Sequence, residues 1–587
     1  MDETTRADNT VLQGVTASSG IVAGTAVVFT RPNVQFTPRT VDDPAAEVER
    51  LAEAVKRAID ELVALKETVR QEMGEESAHI FRSQQTMLED DTVLGEITDT
   101  IHTQKCLAES AVETVFSAYI DMFAALGADD YNRERKTDLE DVQKRLIRNL
   151  QGQHETSLAH LGPDSVVVAT ELYPSDTVTM HREHVVGMIT ERGGITSHVA
   201  ILARNLGIPA AVAVSGATGP TGAVHTGDRI FLDGTRDDIA EIYINPDDPT
   251  QKRLEERKEQ YLRRTRELAK EKNLEPVTTD GRRIDVSANI GSTEEIDSAR
   301  SDGAASVGLF RSEFLFIRHG GQVNEEIQFQ AYSKAVEAFS DGYVILRTLD
   351  VGADKPVPSI SIPAEDNPFL GYRGIRISLA RDDLFRTQLR AALRASAFGR
   401  LKIMFPMIAG PDEVQRVLAV VADVQAQLDR EAIPRGTDVE LGVMIEVPSA
   451  VFMAEELAPH VDFFSIGTND LTQYLLAADR MNENIRSYYQ TFHPAVFRAI
   501  KKVVDAAHTH GKWVGVCGEL GGMAQAIPVL VGLGVDELSM SPRAIGEAIH
   551  TIRRISTSDT ATLAEKVVAS TDEKQVRDVI ATFKKEQ

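Results

Sequence analysis

From residue 284 to residue 540 the chain repeats one unit, a short apolar run followed by a loop and a helix-compatible stretch. The runs are 284–288, 306–309, 343–346, 402–405, 440–445, 463–466, 513–516 and 537–540. Apolar strands joined by helical crossovers must lie parallel, either closed into a (β/α)8 barrel or open as a doubly wound sheet. The polar residues favour the barrel over the open sheet, because they fall at the carboxyl ends of the runs, where barrels gather their chemistry.

Arg311 follows the second run, Arg347 ends the third, and Asp350, Asp354 and Lys355 come just beyond it. Glu446 closes the fifth, Asn469 and Asp470 follow the sixth with Arg480 further along, and Cys517 closes the seventh. With Arg373, set between Tyr372 and Gly374, the cations Arg311, Arg347, Lys355 and Arg480 suit a small, multiply charged phosphate ester, since the arginine fork matches phosphate oxygens. Any one of them alone reads as a surface ion pair. Glu446 and Asp470 supply two carboxylates, few enough for a Mg2+ that takes its remaining oxygens from water and substrate. Cys517 alone reads as a buried structural thiol; beside bound anions it is also a proton donor, because nearby negative charge favours the neutral thiol.

A second constellation lies upstream. Gly193-Gly194-Ile195-Thr196-Ser197-His198 leads into an apolar helical run that Gly207 and Pro209 stop, with Thr196 or Ser197 as cap. His198 falls in the first turn, beside unpaired backbone N–H groups and the positive end of the helix dipole, where negative charge on it is stabilised. A lone histidine there more often caps or packs the helix end. The glycine pair, the hydroxyls and the downstream anion site favour a chemical role.

The remainder sets the domain plan. A chain of 587 residues exceeds one core. Residues 11–30 read as strands around turns, and strand character returns at 165–169, near Ile189 and at 229–232. Between them, opened by Asp42-Asp43-Pro44, lies a helical block of about four helices, carrying acidic patches such as Glu75-Glu76. The block reads as inserted into an α/β domain. Asp248-Pro249 then starts a strongly charged helix to about Leu274, too poor in apolar positions for a core helix and so a spacer. The plan is residues 1–38 and 150–246 for the α/β domain, 39–149 for the inserted helices, 247–276 for the linker and 277–587 for the barrel.

The surface is acidic, with 89 Asp and Glu against 63 Lys and Arg and a net charge of -26, which argues against nucleic acid and anionic membrane as partners. Two distant cysteines make no disulfide framework and fit a reducing compartment. The amino terminus is polar and no run approaches the ~20 apolar residues of a membrane span, so a cytoplasmic protein is expected.

With both constellations in hand, the chain resembles enzyme I of the phosphoenolpyruvate-dependent sugar phosphotransferase system over essentially its whole length. The motifs are the 193–198 stretch, Leu309-Phe310-Arg311-Ser312-Glu313-Phe314-Leu315-Phe316, the 347–355 stretch, the 464–474 stretch around Asn469-Asp470, and Cys517-Gly518-Glu519-Leu520. The resemblance implies a swivelling phosphohistidine domain, an inserted docking subdomain for the phosphocarrier HPr, and a TIM-type barrel that dimerises. It implies His198 as phosphoryl acceptor oriented by Thr177, and phosphoenolpyruvate held by Arg311, Arg347, Lys355, Arg373, Asn469, Asp470 and Arg480. Mg2+, with Mn2+ as the alternative, is implied on Glu446 and Asp470, and Cys517 as the acid that turns enolate into pyruvate. The helix after 248 becomes the hinge-bearing connector between the two stations of His198. Ser18-Ser19-Gly20 departs from the family's usual Ser-Pro-Gly, away from the chemistry. The phosphoenolpyruvate synthases and dikinases share the histidine motif but carry an ATP-binding domain, for which this chain has neither room nor a Gly-rich loop. A non-catalytic phosphoenolpyruvate sensor would need neither an acceptor histidine nor a thiol acid.

Overall fold

The structure is a computed structural model that describes residues 9–29, 36–73, 75–125, 130–152, 161–172, 182–194, 197–219, 222–236, 239–318, 323–352 and 365–586, with the isolated positions 158, 176, 180, 357, 360, 362 and 363. The chain divides into two compact units, Met1–Arg263 and Arg264–Gln587.

In the first unit seven strands close on themselves. They are β1 (Thr10–Ser18), β2 (Ile21–Phe29), β3 (Ser165–Ala169), β4 (Val185–Thr190), β5 (Ala210–Val212), β6 (Arg229–Arg236) and β7 (Ile239–Ile244), in the order β1-β5-β4-β3-β2-β6-β7. Strands β2 to β5 run parallel, while β1 and β6 each run antiparallel to both of their neighbours. The glycines that break the apolar run 11–30 mark close approaches: a Cβ on Gly24 would stand 2.3 Å from the Asp164 carbonyl oxygen.

The helices enter between β2 and β3, as an insertion requires. Among the described residues they number five, one more than the about four expected: Pro44–Met73, Glu75–Leu88, Asp91–Gln104, Ala108–Ala125 and Asp130–Leu150. The Asp43 carboxylate caps the first through the Ala45 and Ala46 N–H groups. The period-3.6 stripe of that helix, Leu51, Val55, Ala58 and Leu62, is buried against Val112, Phe116, Val142 and Leu146.

The charged helix spans Asp248–Glu271, and the division between the units falls inside it. Its single buried apolar residue is Leu254, against Phe231 and Tyr243. Arg257 reaches the buried Asp233 at 2.8 Å. Past the division, Arg264 pairs with Glu547 at 2.6 Å and Glu271 with Arg554 at 2.8 Å. No described helix is long and apolar enough to cross a membrane.

In the second unit eight parallel strands close a barrel: β8 (Asp285–Ile290), β9 (Val307–Arg311), β10 (Val344–Arg347), β11 (Leu401–Phe405), β12 (Glu440–Ile445), β13 (Phe463–Ile466), β14 (Trp513–Val516) and β15 (Glu537–Met540). The last four coincide with the apolar runs read from sequence, and the open doubly wound sheet is excluded by closure of β15 onto β8. The main core is formed where outward-facing strand residues such as Val443, Ile445, Ile466 and Leu538 meet the surrounding helices.

Candidate functional site

At the carboxyl mouth of the second barrel, Arg311, Arg347, Asp350, Glu446, Asn469, Asp470, Arg480, Cys517 and Glu519 line a pocket of about 230 Å3. Each side chain arrives there because a strand ends beneath it. Arg311 and Arg347 are the last residues of β9 and β10, Glu446 and Cys517 stand one past β12 and β14, and Asn469 and Asp470 open the helix Thr468–Leu476 after β13.

The electrostatics is a mesh of buried opposite charges. Arg347 binds Glu313 at 2.6 Å and Asp350 at 2.8 Å, and all three are buried. Arg373, 1% exposed, lies under the pocket between Asp350 at 3.4 Å and Asp470 at 3.6 Å. Arg480 meets Asp470 at 2.8 Å, and the Phe369 ring sits under the guanidiniums of both Arg373 and Arg480. Arg311 makes no ion pair among the described residues, so its charge is available to a ligand. Asn469 and Glu519 fix each other: the Asn469 oxygen accepts from the Glu519 N–H at 3.0 Å, and its amide donates to the Glu519 carboxylate at 3.3 Å.

Glu446 accepts the Met407 N–H at 2.6 Å, a bond made by turning Met407 to a φ of 58°, which is strained for a non-glycine residue. Burial first, and then the negative charges of Asp350 and Asp470, push the Glu446 carboxyl up to about 8. Burial, followed by the charges of Glu537 and Glu446, holds the Cys517 thiol up to about 12. Its sulfur lies 3.8 Å from the Ile466 carbonyl oxygen. Of the four acids that line the pocket, Glu446 and Asp470 are a hard-oxygen donor set suited to Mg2+ completed by ligand oxygens, and among the described residues no cluster of three or more His, Cys, Asp or Glu side chains could hold a metal alone.

The first unit presents the other candidate. The helix His198–Leu206 starts with Ser197 as its cap, accepting the Ala200 N–H at 3.4 Å, and ends on Gly207 in the left-handed region. Val199, Ala200, Leu202 and Ala203 bury one face against Val167, Met188 and Val212, which fixes the helix start that carries His198. The side chain of His198, and the whole of Thr196, Thr177 and Lys355, lie outside the described residues. Sequence reasoning missed Glu313 and Glu519. Both open short helical turns, and an acid at a helix start carries no mark separating a dipole partner from a site residue.

Arg347→Met would leave Glu313 and Asp350 buried without their shared counter-charge. It is expected to destabilise the barrel by about 3–5 kcal/mol in denaturant unfolding. The fluorescence of Trp513, the only tryptophan, reports this unit. A loss under ~1 kcal/mol would show that the mesh is cushioned by water.

Three family models match the chain: the PEP-utilising enzyme N-terminal domain over residues 13–135, the mobile domain over 161–237 and the PEP-binding domain over 265–557. Among curated proteins, the phosphoenolpyruvate-protein phosphotransferase of Bacillus subtilis is 40% identical over 574 residues, covering 98% of this chain and 100% of its own. That of Enterococcus faecalis is 39% identical over 564 residues, covering 96% and 97%, and that of Geobacillus stearothermophilus 40% over 573 residues, covering 97% and 98%.

Proposed function

The chain belongs to the phosphoenolpyruvate-protein phosphotransferase family, and from that we propose that it moves the phosphoryl group of phosphoenolpyruvate first onto His198 and then onto an HPr-type phosphocarrier, with pyruvate as the other product. The observation that carries this reading is the pocket in which unpaired Arg311, paired Arg347 and Arg480, Asn469, the acids Glu446 and Asp470 and a protonated thiol converge.

Arg311, Arg347 and Arg480 bind the phosphate and carboxylate of the substrate, joined by Lys355, while Arg373 holds Asp350 and Asp470 in place beneath them. Asn469, locked to Glu519, gives a fixed polar contact instead of a mobile one. Glu446 and Asp470 would hold Mg2+, with Mn2+ as the alternative, and the ion would neutralise charge on the phosphoryl and enolate oxygens. When the phosphoryl group leaves for the imidazole of His198, oriented by Thr177, the remaining enolate takes a proton at its methylene carbon from Cys517. A thiol that stays protonated far above neutral pH suits that role, and ketone formation makes the transfer downhill.

The inserted helices serve as the phosphocarrier dock, the domain plan 1–38 with 150–246, 39–149, 247–276 and 277–587 follows, and the charged helix Asp248–Glu271 contains the hinge. The two free thiols support a cytoplasmic setting. Dimerisation through the barrel belongs to the same reading; sedimentation as monomer alone at micromolar concentration would remove it.

The test is incubation with phosphoenolpyruvate labelled in its phosphorus and Mg2+. Acid-labile, alkali-stable label on the chain, with an equal amount of pyruvate released, is expected; pyruvate without protein-bound label would overturn the acceptor mechanism.

A further inference from the structure

The interior of the second barrel is polar along one side, where barrels of this kind are packed with branched apolar residues. Glu537, at the start of β15, points inward and is 1% exposed. Its Oε2 lies 2.2 Å from the point where a Cβ on Gly515 would stand, and its Oε1 2.1 Å from the same point on Gly308. The two missing side chains are what give the carboxyl its place. Gly515 is in register with Ser465 on β13, whose hydroxyl is fully buried. Two residues beyond Gly515 along the same chain stands Cys517, with the Ser465 hydroxyl beside its thiol. Neither oxygen of Glu537 nor the Ser465 hydroxyl has a hydrogen-bond partner of normal geometry, although each is buried. Buried polar atoms of this kind are destabilising and persist where ordered water bridges them or function retains them.

We propose that Glu537 is a proton store beneath the active site and that it reprotonates Cys517 through Ser465 after each turnover. The proposal rests on Cys517 as the acid of the reaction. When the enolate carbon takes the thiol proton, an S–H bond breaks, a C–H bond forms, and a thiolate remains in a buried site. The Ser465 hydroxyl gives its proton to the sulfur while taking one from a bridging water that in turn takes the Glu537 proton, leaving Ser465 and the water unchanged and Glu537 as carboxylate; such a water would satisfy the buried oxygens of both side chains. Glu537 recovers its proton from solvent at the amino-terminal mouth, where Asp285, its partner in register, is about half exposed. One solvent proton is thereby consumed per pyruvate formed.

The charged and titratable groups around Glu537 set when it can donate. Asp285 on β8 and Tyr343 before β10 face it, Lys402 on β11 lies opposite, and Cys517 stands above. Lys402 is itself held among Tyr343, Trp513 and Phe463 and by Glu440 at 2.9 Å, so its charge is fixed in place. Burial, with Asp285 adding to it against Lys402, pushes the Glu537 carboxyl up to about 7. A raised carboxyl holds its proton below that value and loses it above, so the store is loaded at and below neutral pH and empties as pH rises.

The experiment separates the first turnover, for which Cys517 is already protonated, from later ones. Rapid quench with labelled phosphoenolpyruvate reads the first; steady net pyruvate formation, with an HPr-type phosphocarrier present in excess to empty His198, reads the rest. Glu537→Gln and Ser465→Ala are each expected to keep the first turnover within about twofold and to slow steady pyruvate formation about tenfold. The fall of steady pyruvate formation with pH through neutrality, present in the parent protein, should vanish in Glu537→Gln. Equal slowing of both phases would show that Glu537 only supports the barrel, and unchanged steady pyruvate formation in either variant would remove the relay. A parent protein that forms no pyruvate from phosphoenolpyruvate would instead remove the functional reading on which the relay stands.

Discussion

Replacing His198 with alanine is expected to abolish transfer of phosphorus label from phosphoenolpyruvate to the chain, a loss of about 10,000-fold or more, because no other group takes over from a missing nucleophile. The helix that begins at His198 should survive the change, since alanine is the best helix former, the Ser197 cap is untouched, and the buried face begins at Val199. Thermal unfolding of the first unit should therefore be unaltered. Phosphoenolpyruvate binding should also persist, because Arg311, Arg347, Asn469 and Arg480 belong to the other compact unit. The backbone N–H groups that Ser197 leaves unpaired at the helix start favour an anion by about 0.3–1 kcal/mol, which helps phosphohistidine form at this place on the chain. Label on the alanine variant equal to that on the parent would show that His198 is not the acceptor.

Cys517→Ala is expected to slow pyruvate formation by about 100- to 10,000-fold, the range of a lost general acid, with phosphoenolpyruvate affinity little changed. The thiol packs among Leu309, Met404, Met444 and Phe463, so its removal also leaves a small cavity, costing about 1 kcal/mol of stability. That cost is too small to explain a large kinetic effect and can be measured separately by unfolding. The pH dependence has a definite sign. The folded thiol is raised to about 12, so the proton-donating form is present throughout the neutral and mildly alkaline range and is lost only far above it. First-turnover pyruvate formation in the parent protein should show no alkaline loss attributable to Cys517, and its alkylation by iodoacetamide near neutral pH should be slow. Unchanged pyruvate formation in the alanine variant would remove Cys517 from the mechanism.

Most of the pocket is legible in the sequence alone, because a barrel converts position in sequence into position in space: a polar residue just after an apolar run must arrive at the same mouth as the others. Arg311, Arg347, Glu446, Asn469, Asp470, Arg480 and Cys517 all do. Arg373 is legible only as a cation near the site; that it lies beneath the pocket holding Asp350 and Asp470 depends on the turn at Gly374, with φ of 56°, and on packing against Phe369. The break between the helices ending at Met73 and starting at Glu75 escapes the sequence reading, since a single Gly74 in a charged helical stretch is a weak stop signal.

The eight parallel strands, the order in which their ends supply charge, and the capped helix that carries His198 can be read along the chain, because each depends on local periodicity or on residues a few positions apart. That the first strands close with later ones into a seven-stranded barrel emerges in the folded chain alone, since hydrogen bonds such as those joining β1 to β7 link residues over two hundred positions apart. The folded chain also decides which face of β15 looks inward. In Glu537-Leu538-Ser539-Met540 two of the four residues are polar, and the alternation alone leaves open whether they face water or the barrel interior. Closure buries both faces, so Leu538 and Met540 meet the helices while Glu537 and Ser539 fill the barrel interior, a choice no period-2 pattern contains.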